Sequence, residues 1–390
     1  MKFAKRAASL DSTFMNEILK AAANPDLISF AGGLPNPELF PVEEIRAATD
    51  KLLSTDGKNA LQYNISEGYP ALREFIAARY YHGEDLSIDN ILITSGSQQG
   101  LDMLGRLFID PGDGILFERP GYLGALQAFD LSEPRYLEVP VSSEGVDVEV
   151  AASILQSHGP IPLFYGDPNF QNPTGASYSL ETRLALARVL ENYDTIFIED
   201  NPYVELRFAG TQAPSMKSLL GDKVIALGSF SKVFAPAMRM GWVAGPVEII
   251  KALGAIKGAT DMHTNYLTQR ILYQYLCDND FDAHIKRTVE VYKAKSELMM
   301  KCMQEELPSD VSFVRPEGGM FTWVTLPEDI KSTELLKVCR ERGMYYIPGI
   351  PFYASSPDEH TCRLNFSNST DENIVKGIQI MGQAIKDYRN

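Results

Sequence analysis

One short segment of the chain combines side chains that could hold a small molecule both covalently and by charge. Ser229 and Ser231 precede Lys232 in the run Ser229-Phe230-Ser231-Lys232, and Arg239 follows seven residues after the lysine. A lysine amine can form an imine with an aldehyde, whereas hydroxyls and a guanidinium can hold a phosphate. Pyridoxal phosphate carries both groups, so the segment indicates this cofactor. The alternative is a solvated lysine in a surface loop, because short motifs also occur by chance.

Composition sets the class of protein and argues against two kinds of partner. The chain has 390 residues, of which 45% are hydrophobic and 22% are charged, as in an ordinary globular protein of about two domains. Its net charge of −15 repels phosphate backbones and anionic lipid. No apolar run is long enough to span a bilayer. We therefore expect neither nucleic acid nor membrane as a partner.

Cysteine and histidine spacing indicates no metal site. The four cysteines are far apart, with no Cys-x-x-Cys pair, and the five histidines show no metal-ligand spacing. The N-terminus is basic but lacks the continuous apolar stretch of a secretory signal. A reducing cytoplasm is therefore the expected location.

Apolar runs that alternate with helical patterns predict an α/β fold with a mostly parallel sheet, covered by helices on both faces. The runs predicted to be strands are residues 91–94, 114–117, 162–165, 195–198 and 224–227. The helix predicted after the first strand buries Leu101, Leu104 and Phe108. The helix predicted between the third and fourth strands buries a face made of Leu180, Leu184 and Ala187.

The C-terminal part has the pattern of a smaller α+β unit. Residues 320–326 and 362–366 are predicted strands, and residues 271–301 form a long amphipathic segment that we expect to bridge the two units. Thr370 is a plausible cap for a last helix. The apolar positions of that helix are Ile374, Ile378, Met381 and Ile385.

These patterns predict three parts of the chain. Residues 1–45 would form an N-terminal arm that belongs in part to the small domain. Residues 46–280 would form the large cofactor-binding domain, and residues 281–390 the small C-terminal domain.

Polar clusters follow the predicted strands, where open parallel sheets bind their ligands. Residues 94–100 (TSGSQQG) precede a helix whose free amides could receive a phosphate. Residues 167–175 (DPNFQNPTG) and 199–203 (EDNPY) follow two further strands, and each could be an ordinary turn. A buried Asp200 would need a cationic partner such as a protonated pyridine nitrogen. Arg363, inside a predicted strand, is either a solvated side chain or a carboxylate clamp.

Several motifs, taken in order, resemble the class I/II aminotransferases of PLP fold type I over nearly the whole chain. They are Asn172-Pro173-Thr174-Gly175, Asp200 with Tyr203, Ser229-x-Ser231-Lys232 with Arg239, and Arg363. The runs FAGGLPNPELFP at 30–41, GSQQ at 96–99 and PEGGMF at 316–321 resemble the branch that contains 2-aminoadipate, kynurenine and aromatic aminotransferases. The resemblance implies a large domain with a mostly parallel sheet sandwiched by helices, plus a smaller α+β domain.

The resemblance also implies the catalytic roles. Lys232 would form the internal aldimine, Asp200 would pair with the pyridine nitrogen, and Tyr122 would stack on the ring. Asn172 and Tyr203 would donate hydrogen bonds to the ring hydroxyl oxygen. The three residues implied as catalytic are thus Lys232, Asp200 and Tyr203.

Two further groups are implied to bind the phosphate and the substrate. The expected phosphate ligands are Ser97, Gln98, Ser229, Ser231 and Arg239. Arg363 would hold the α-carboxylate of the substrate, with Asn172 and the Gly33 backbone beside it. Tyr63 would reach the phosphate of the other subunit, so the resemblance implies a homodimer.

The function that the resemblance implies is transfer of an amino group between an α-amino acid and a 2-oxo acid such as 2-oxoglutarate. The kinetics should be ping-pong, with the Lys232 amine as base and then acid. Residues 12–17 (STFMNE) contain no arginine for a distal carboxylate, so aromatic or aliphatic donors are favoured and a 2-aminoadipate enzyme is the alternative.

Three other functions share parts of this pattern. A β-lyase or decarboxylase could use the same cofactor site. A transcription regulator that senses an effector with this fold would need a DNA-binding domain, which we do not expect because the resemblance begins by about Phe30. A non-catalytic binding protein would not need Lys232.

Overall fold

The computed structural model describes residue 24 and residues 26–389. Its strands are β1 (Ile28–Ser29), β2 (Ile91–Thr94), β3 (Gly114–Arg119), β4 (Arg135–Ser142), β5 (Gly145–Val146), β6 (Leu163–Gly166), β7 (Ile196–Asp200), β8 (Val224–Ser229), β9 (Gly241–Ala244), β10 (Ser312–Phe313), β11 (Phe321–Thr325), β12 (Met344–Tyr345), β13 (Ile347–Pro348) and β14 (Thr361–Asn365). Its α-helices are α1 (Val42–Ala60), α2 (Pro70–Tyr80), α3 (Ser97–Phe108), α4 (Leu123–Phe129), α5 (Val148–Ser157), α6 (Leu180–Leu190), α7 (Met216–Leu220), α8 (Val247–Thr260), α9 (Tyr266–Asp278), α10 (Phe281–Glu306), α11 (Ser332–Glu341) and α12 (Asp371–Tyr388).

The large sheet has the strand order β2-β9-β8-β7-β6-β3-β4-β5. Its centre is parallel, from β8 through β7, β6 and β3 to β4, whereas β9 runs antiparallel to both β2 and β8. The central strands are buried on both faces, which is why they read as continuous apolar runs in the sequence. The predicted α/β fold and all five predicted strands are confirmed, with strand ends that differ by at most two residues.

Successive residues of the central strands pack on opposite helical layers. Ile115 and Phe117 of β3 belong to the core that includes α3, α4 and α8, whereas Leu116 belongs to the core that includes α5, α6 and α7. A strand side chain alternates between faces, so one strand contributes to both layers. Within the described residues, no helix is long and apolar enough to cross a membrane.

The face predicted for α6 was wrong in part. Leu180 is 43% exposed, because it is the first residue after the cap at Ser179. The side chains that α6 buries are Arg183, Leu186, Ala187 and Leu190. The apolar pattern of α6 is interrupted at Arg183, because this charged residue occupies a core position. Its guanidinium donates hydrogen bonds to three main-chain carbonyl oxygens.

The small sheet is antiparallel in the order β10-β11-β14-β13, and α10 and α12 pack together beside it. Strand β1 pairs with β12, which ties the segment after residue 26 to this part of the chain. The two predicted strands and the last helix are confirmed. Thr370 caps α12 by accepting from the Asn373 amide, and all four predicted apolar positions are buried.

The single bridging helix predicted for residues 271–301 was wrong. The structure has two helices there, α9 and α10, separated by Asn279 and Asp280. Asn279 closes α9 by donating to the Tyr275 carbonyl, and Asp280 caps α10 by accepting from the Ala283 amide. Short polar side chains at the break therefore compete with a continuous helix for the backbone groups.

Two leucines of α6 provide a matched test of this packing. Replacing the fully buried Leu186 with alanine should lower the free energy of unfolding by about 2–5 kcal/mol, because it leaves a cavity in the core. Leu180→Ala, the control on the same helix, should change it by about 0.5 kcal/mol or less. Denaturant unfolding of both variants measures the difference, and equal losses would contradict the observed orientation of α6.

Candidate active site

A cavity lies beyond the carboxyl ends of β6, β7 and β8, and the turn before α3 closes one side of it. Ten of the residues singled out from the sequence line this cavity: Ser97, Gln98, Tyr122, Asn172, Asp200, Tyr203, Ser229, Ser231, Lys232 and Arg239. The cavity thereby gathers residues that are far apart in the chain. The adjoining Arg363 contacts Ala31, which lies 332 positions away. The polar side chains thus gather beyond the ends of parallel strands, where open sheets bind their ligands.

Lys232 lies three residues after β8, and its side chain is partly buried. Its Nζ donates a hydrogen bond of 2.8 Å to the carbonyl oxygen of Gly33 and lies 5.9 Å from the centre of the Tyr203 ring. Burial, together with the positive charges of Arg363 and Arg239, lowers the pKa of Lys232 to about 8, against the opposing effect of Asp200. About a tenth of the amine is therefore uncharged at pH 7 and able to act as a nucleophile.

Asp200 ends β7 and is only 2% exposed. Its Oδ2 accepts a hydrogen bond of 3.0 Å from the Tyr165 hydroxyl, whereas its Oδ1 has no hydrogen-bond partner within the described residues. Burial raises the pKa of Asp200 to about 7, although the bond from Tyr165 works in the opposite direction. A buried acceptor of this kind suits a cationic N–H donor, which would restore the carboxylate form.

The turn that precedes α3 can receive an anion. Gly96 has φ of +80°, and a Cβ atom added there would overlap Nη2 of Arg239, so only glycine allows this close approach. Arg239 donates to the Ser95 carbonyl at 2.9 Å and lies 3.5 Å from the Ser231 hydroxyl. Gln98 uses its side-chain amide on the Gly124 carbonyl, so its main-chain amide at the start of α3 is the group left for an anion.

A buried lysine supports this turn from behind, and the sequence interpretation missed it. Lys257 of α8 has a fully buried ammonium that donates to Gln99 at 2.8 Å and to both carboxylate oxygens of Asp261 at 2.9 Å. Gln99 in turn accepts from the Ser95 amide at 2.8 Å. Lys257 thus holds Gln99, which holds the main chain of Ser95. The Ser95 carbonyl in turn orients Arg239.

Arg363 projects from β14 beside the cavity and is buried. It donates to Asn172 Oδ1 and to the Ala31 carbonyl, both at 2.6 Å, and its Cζ lies 4.2 Å from the centre of the Phe321 ring. Burial lowers the pKa of Arg363 to about 10. No acidic side chain of the described residues forms an ion pair with it, so the guanidinium keeps its charge for an anion of another molecule.

Besides Arg363, two predicted site residues lie outside the cavity. Gly33 adjoins it through the hydrogen bond that its carbonyl accepts from Lys232. Tyr63 is 74% exposed, and its ring contacts His263 edge-on with the centres 5.8 Å apart. In the described part of the chain, no group of histidines, cysteines and carboxylates is arranged to hold a metal ion.

Asp167 lines the cavity, although the sequence interpretation gave it no role. It follows β6 directly, as Asp200 ends β7, so the strand-end argument that selected Asp200 could have selected it as well. Tyr165, the donor to Asp200, was likewise missed because its contact joins two strands.

The donor set fits pyridoxal phosphate group by group. Lys232 offers an amine for the aldehyde, and Arg239 with the serine hydroxyls and the α3 amides offers a cationic site for the phosphate. The unpartnered Oδ1 of Asp200 suits the ring nitrogen. Asn172 and Tyr203, whose side chains are 3.5 Å apart, suit the ring hydroxyl oxygen.

Known proteins resemble this chain over almost its full length. The family model described as aminotransferase class I and II matches residues 25–380. The aromatic-amino-acid aminotransferase 1 of Thermococcus litoralis is 38% identical over 99% of this chain and 94% of its own length.

Two solved structures have the same fold along the chain. The α-aminoadipate aminotransferase of Thermus thermophilus, in complex with N-(5′-phosphopyridoxyl)-L-leucine, is 36% identical, with a TM-score of 0.93 and coverage of 99% of this chain and 98% of its own. The kynurenine aminotransferase of Pyrococcus horikoshii, in complex with pyridoxamine phosphate, is 38% identical, with a TM-score of 0.94 and coverage of 99% and 97%.

The family, the PLP fold type I and the cofactor pyridoxal phosphate, all expected from the sequence, are confirmed by these comparisons. The chain belongs to the class I and II aminotransferases, and it is a transaminase that moves an amino group between an α-amino acid and a 2-oxo acid.

Proposed function

We propose that this transaminase takes its amino groups from aromatic or aliphatic α-amino acids and delivers them to a 2-oxo acid such as 2-oxoglutarate. The observation that carries the proposal is that two groups occur at one site. They are the Lys232 amine, whose pKa is lowered, and the buried Arg363, which has no acidic partner in the described residues. One group can move a proton while the other holds the carboxylate that every α-amino acid carries.

The role of each residue follows from the chemistry of its side chain. Bound pyridoxal phosphate supplies an electron sink that makes loss of the Cα proton of an amino acid feasible. Lys232 Nζ takes that proton as a base and returns it as an acid. Asp200 Oδ1 would accept the hydrogen bond of the ring nitrogen, which would keep that nitrogen protonated. Arg363 holds the α-carboxylate, which fixes the direction of the Cα–H bond.

The remaining site residues position the cofactor and the substrate. Tyr122 would cover one face of the ring, and Asn172 and Tyr203 would bind its hydroxyl oxygen. The phosphate would be held by Ser97, Gln98, Ser229, Ser231 and Arg239. Because the Gly33 and Ala31 carbonyls contact Lys232 and Arg363, this segment joins the base to the carboxylate clamp.

Apolar side chains around Arg363 support the proposed substrate class. Trp323 and Ile347 lie opposite Arg363 in the small sheet, so they share its face. They belong to one apolar cluster with Ala31 and Phe352, and the half-buried Leu123 packs against it. An apolar or aromatic substrate side chain is favoured next to such a surface.

A 2-aminoadipate enzyme remains the alternative, supported by the 36% identity to the aminotransferase of Thermus thermophilus. The absence of arginine from residues 12–17 argued against it, but these residues lie outside the part that the structure describes.

The proposal includes a cytoplasmic homodimer, with residues 46–280 as the large domain and residues 1–45 and 281–390 forming the arm and the small domain. Tyr63 supports the dimer: it lies outside the cavity of its own chain and is exposed, so a second copy could receive it. Exposed apolar side chains near it, Leu61 and Ile65, also favour a covered surface.

Substrate preference is tested by comparing phenylalanine, leucine and 2-aminoadipate as donors to 2-oxoglutarate. We expect higher kcat/KM for the first two, because the surroundings of Arg363 are apolar. A cysteine conjugate without an amino acceptor is the control, since release of ammonia and pyruvate from it would reveal a β-lyase. A large preference for 2-aminoadipate would overturn the proposed substrate class.

Replacing Arg363 with alanine should raise KM for every amino donor, because the clamp holds the carboxylate that all donors share. Loss of two charged hydrogen bonds corresponds to about 3 kcal/mol, or roughly 100-fold in kcat/KM. Arg106→Ala, an exposed arginine on α3, is the matched control and should leave the kinetics unchanged. A loss confined to some donors would instead make Arg363 a specificity residue.

Capture of the cofactor by the apoenzyme should depend on pH through Lys232. Only the neutral amine attacks an aldehyde, and its pKa is lowered to about 8. The rate constant should therefore rise about tenfold per pH unit below this value and level off above it. Stopped-flow absorbance measures the rate, with Lys232→Ala as the blank. A rise that continues toward the ordinary lysine pKa of 10.5 would contradict the assignment.

A further inference from the structure

Two buried aspartates share the floor of the cavity, although a single ring nitrogen needs only one. Strands β6 and β7 are parallel with Gly166 opposite Glu199, so Asp167 and Asp200 occupy the next pair of positions. They are 1% and 2% exposed, and both line the cavity. Neighbouring strands lie about 4.8 Å apart, which places two carboxyl groups on the same side within reach of each other.

The hydrogen bonds of Asp167 leave one oxygen free. Its Oδ2 accepts from the Asn172 amide at 2.9 Å, and its own amide donates to Oε1 of Glu118 at 3.1 Å. Its Oδ1 has no hydrogen-bond partner within the described residues, and neither has Oδ1 of Asp200. The ring nitrogen can satisfy Oδ1 of Asp200, but no donor of the described residues reaches Oδ1 of Asp167, so that oxygen is costly to bury unless it carries a proton itself.

The cations of the site are engaged elsewhere. Lys232 donates to Gly33, Arg239 donates to Ser95 and Ser231, and Arg363 donates to Asn172 and Ala31. No ion pair of the described residues includes Asp167. An ionised Asp167 would therefore stand in the interior without the partner that a buried charge requires.

The groups that face Asp167 from the surrounding elements are acids and phenols. They are Asp200 on β7, Glu118 on β3, Tyr165 on β6, Tyr122 before α4, and Tyr178 and Tyr203 in the adjoining loops. Burial, followed by the charges of Asp200 and Glu118, raises the pKa of Asp167 well above its ordinary value.

Glu118 is not the hydrogen-bond partner of Asp167 Oδ1. Its Oε1 accepts from the Tyr178 hydroxyl at 2.5 Å and its Oε2 accepts from Gln171 at 3.0 Å. These donors, with the Asp167 amide, leave Glu118 well satisfied as an acceptor. Of the two acids that face Asp167, only Asp200 keeps a carboxyl oxygen without a hydrogen-bond partner within the described residues.

We propose that Asp167 is a positioning residue that stays protonated in the working enzyme and donates a hydrogen bond from Oδ1 to the Asp200 carboxylate. The donated bond would hold the Asp200 carboxylate next to the ring nitrogen and would lower the basicity of that carboxylate. At the same time Oδ2 fixes the Asn172 amide, and with it the loop that carries the Asn172 side chain. Asp167 thereby couples the two ends of the ring, the nitrogen and the hydroxyl oxygen. This inference rests on the proposed function of Asp200.

The test uses the holoenzyme and the substitution Asp167→Asn, which keeps a donor and an acceptor in place but cannot ionise. Infrared spectra of protein labelled with ¹³C-aspartate should show the carbonyl band of a protonated carboxyl group at pH 7, and the band should be absent from the variant. The pH midpoint of the absorbance of the bound cofactor should agree with the unsubstituted enzyme to within about 0.3 unit, since the charge of the site is unchanged.

Asp167→Ala is the contrasting variant. It removes the donor to Asp200 and the acceptor of the Asn172 amide, so the midpoint should shift by about one unit and kcat/KM should fall at least tenfold. If this variant does not fold, the infrared band and the asparagine variant still decide the question.

Three outcomes would overturn the inference: no protonated-carboxyl band in the unsubstituted holoenzyme, a midpoint shifted by about one unit or more in Asp167→Asn, or failure of that variant to bind the cofactor. A missing band in an enzyme that holds its cofactor on Lys232 would remove only the role of Asp167. Failure of the cofactor to bind at Lys232 would instead remove the proposed function.

Discussion

The site depends on a carboxyl group buried where its charge has no partner of its own within the described chain. Asp200 lies at the end of β7 with one oxygen bonded to Tyr165 and the other free. Burial alone favours its neutral form, and a cation at the free oxygen reverses that preference. The same burial weakens the charge of Lys232. Burial thus leaves Asp200 in need of a cation at its free oxygen, and it raises the neutral fraction of the Lys232 amine.

The architecture brings these groups together by joining distant parts of the chain. The large sheet supplies Asp200 and Lys232 from neighbouring strand ends, and the small sheet supplies Arg363. The segment around residues 31–33 contacts both, because its carbonyls accept from Arg363 and from Lys232. These hydrogen bonds, from two side chains to the main chain of one segment, therefore set the position of Arg363 relative to Lys232. A small shift of that segment would alter both groups together.

Sequence predicted those features that depend on local patterns. The central strands were found because they are apolar on both faces, and Asp200 was found because a carboxylate directly after such a strand is unusual. The buried face of α6 was partly wrong because Arg183 satisfies its charge with distant carbonyls. Lys257 and Asp167 were missed for a related reason: their roles arise from contacts between elements, such as the bond from Lys257 to Gln99 across 158 positions. The role of Tyr63 depends on a second chain, so it remains a prediction.

The most direct measurement is reduction of the holoenzyme with borohydride, followed by mass mapping of its peptides. Borohydride converts an imine to a stable amine, so it marks the lysine that holds the cofactor. The account predicts a single phosphopyridoxyl adduct on the peptide that contains Lys232. An adduct on another lysine, or none in protein saturated with pyridoxal phosphate, would contradict it.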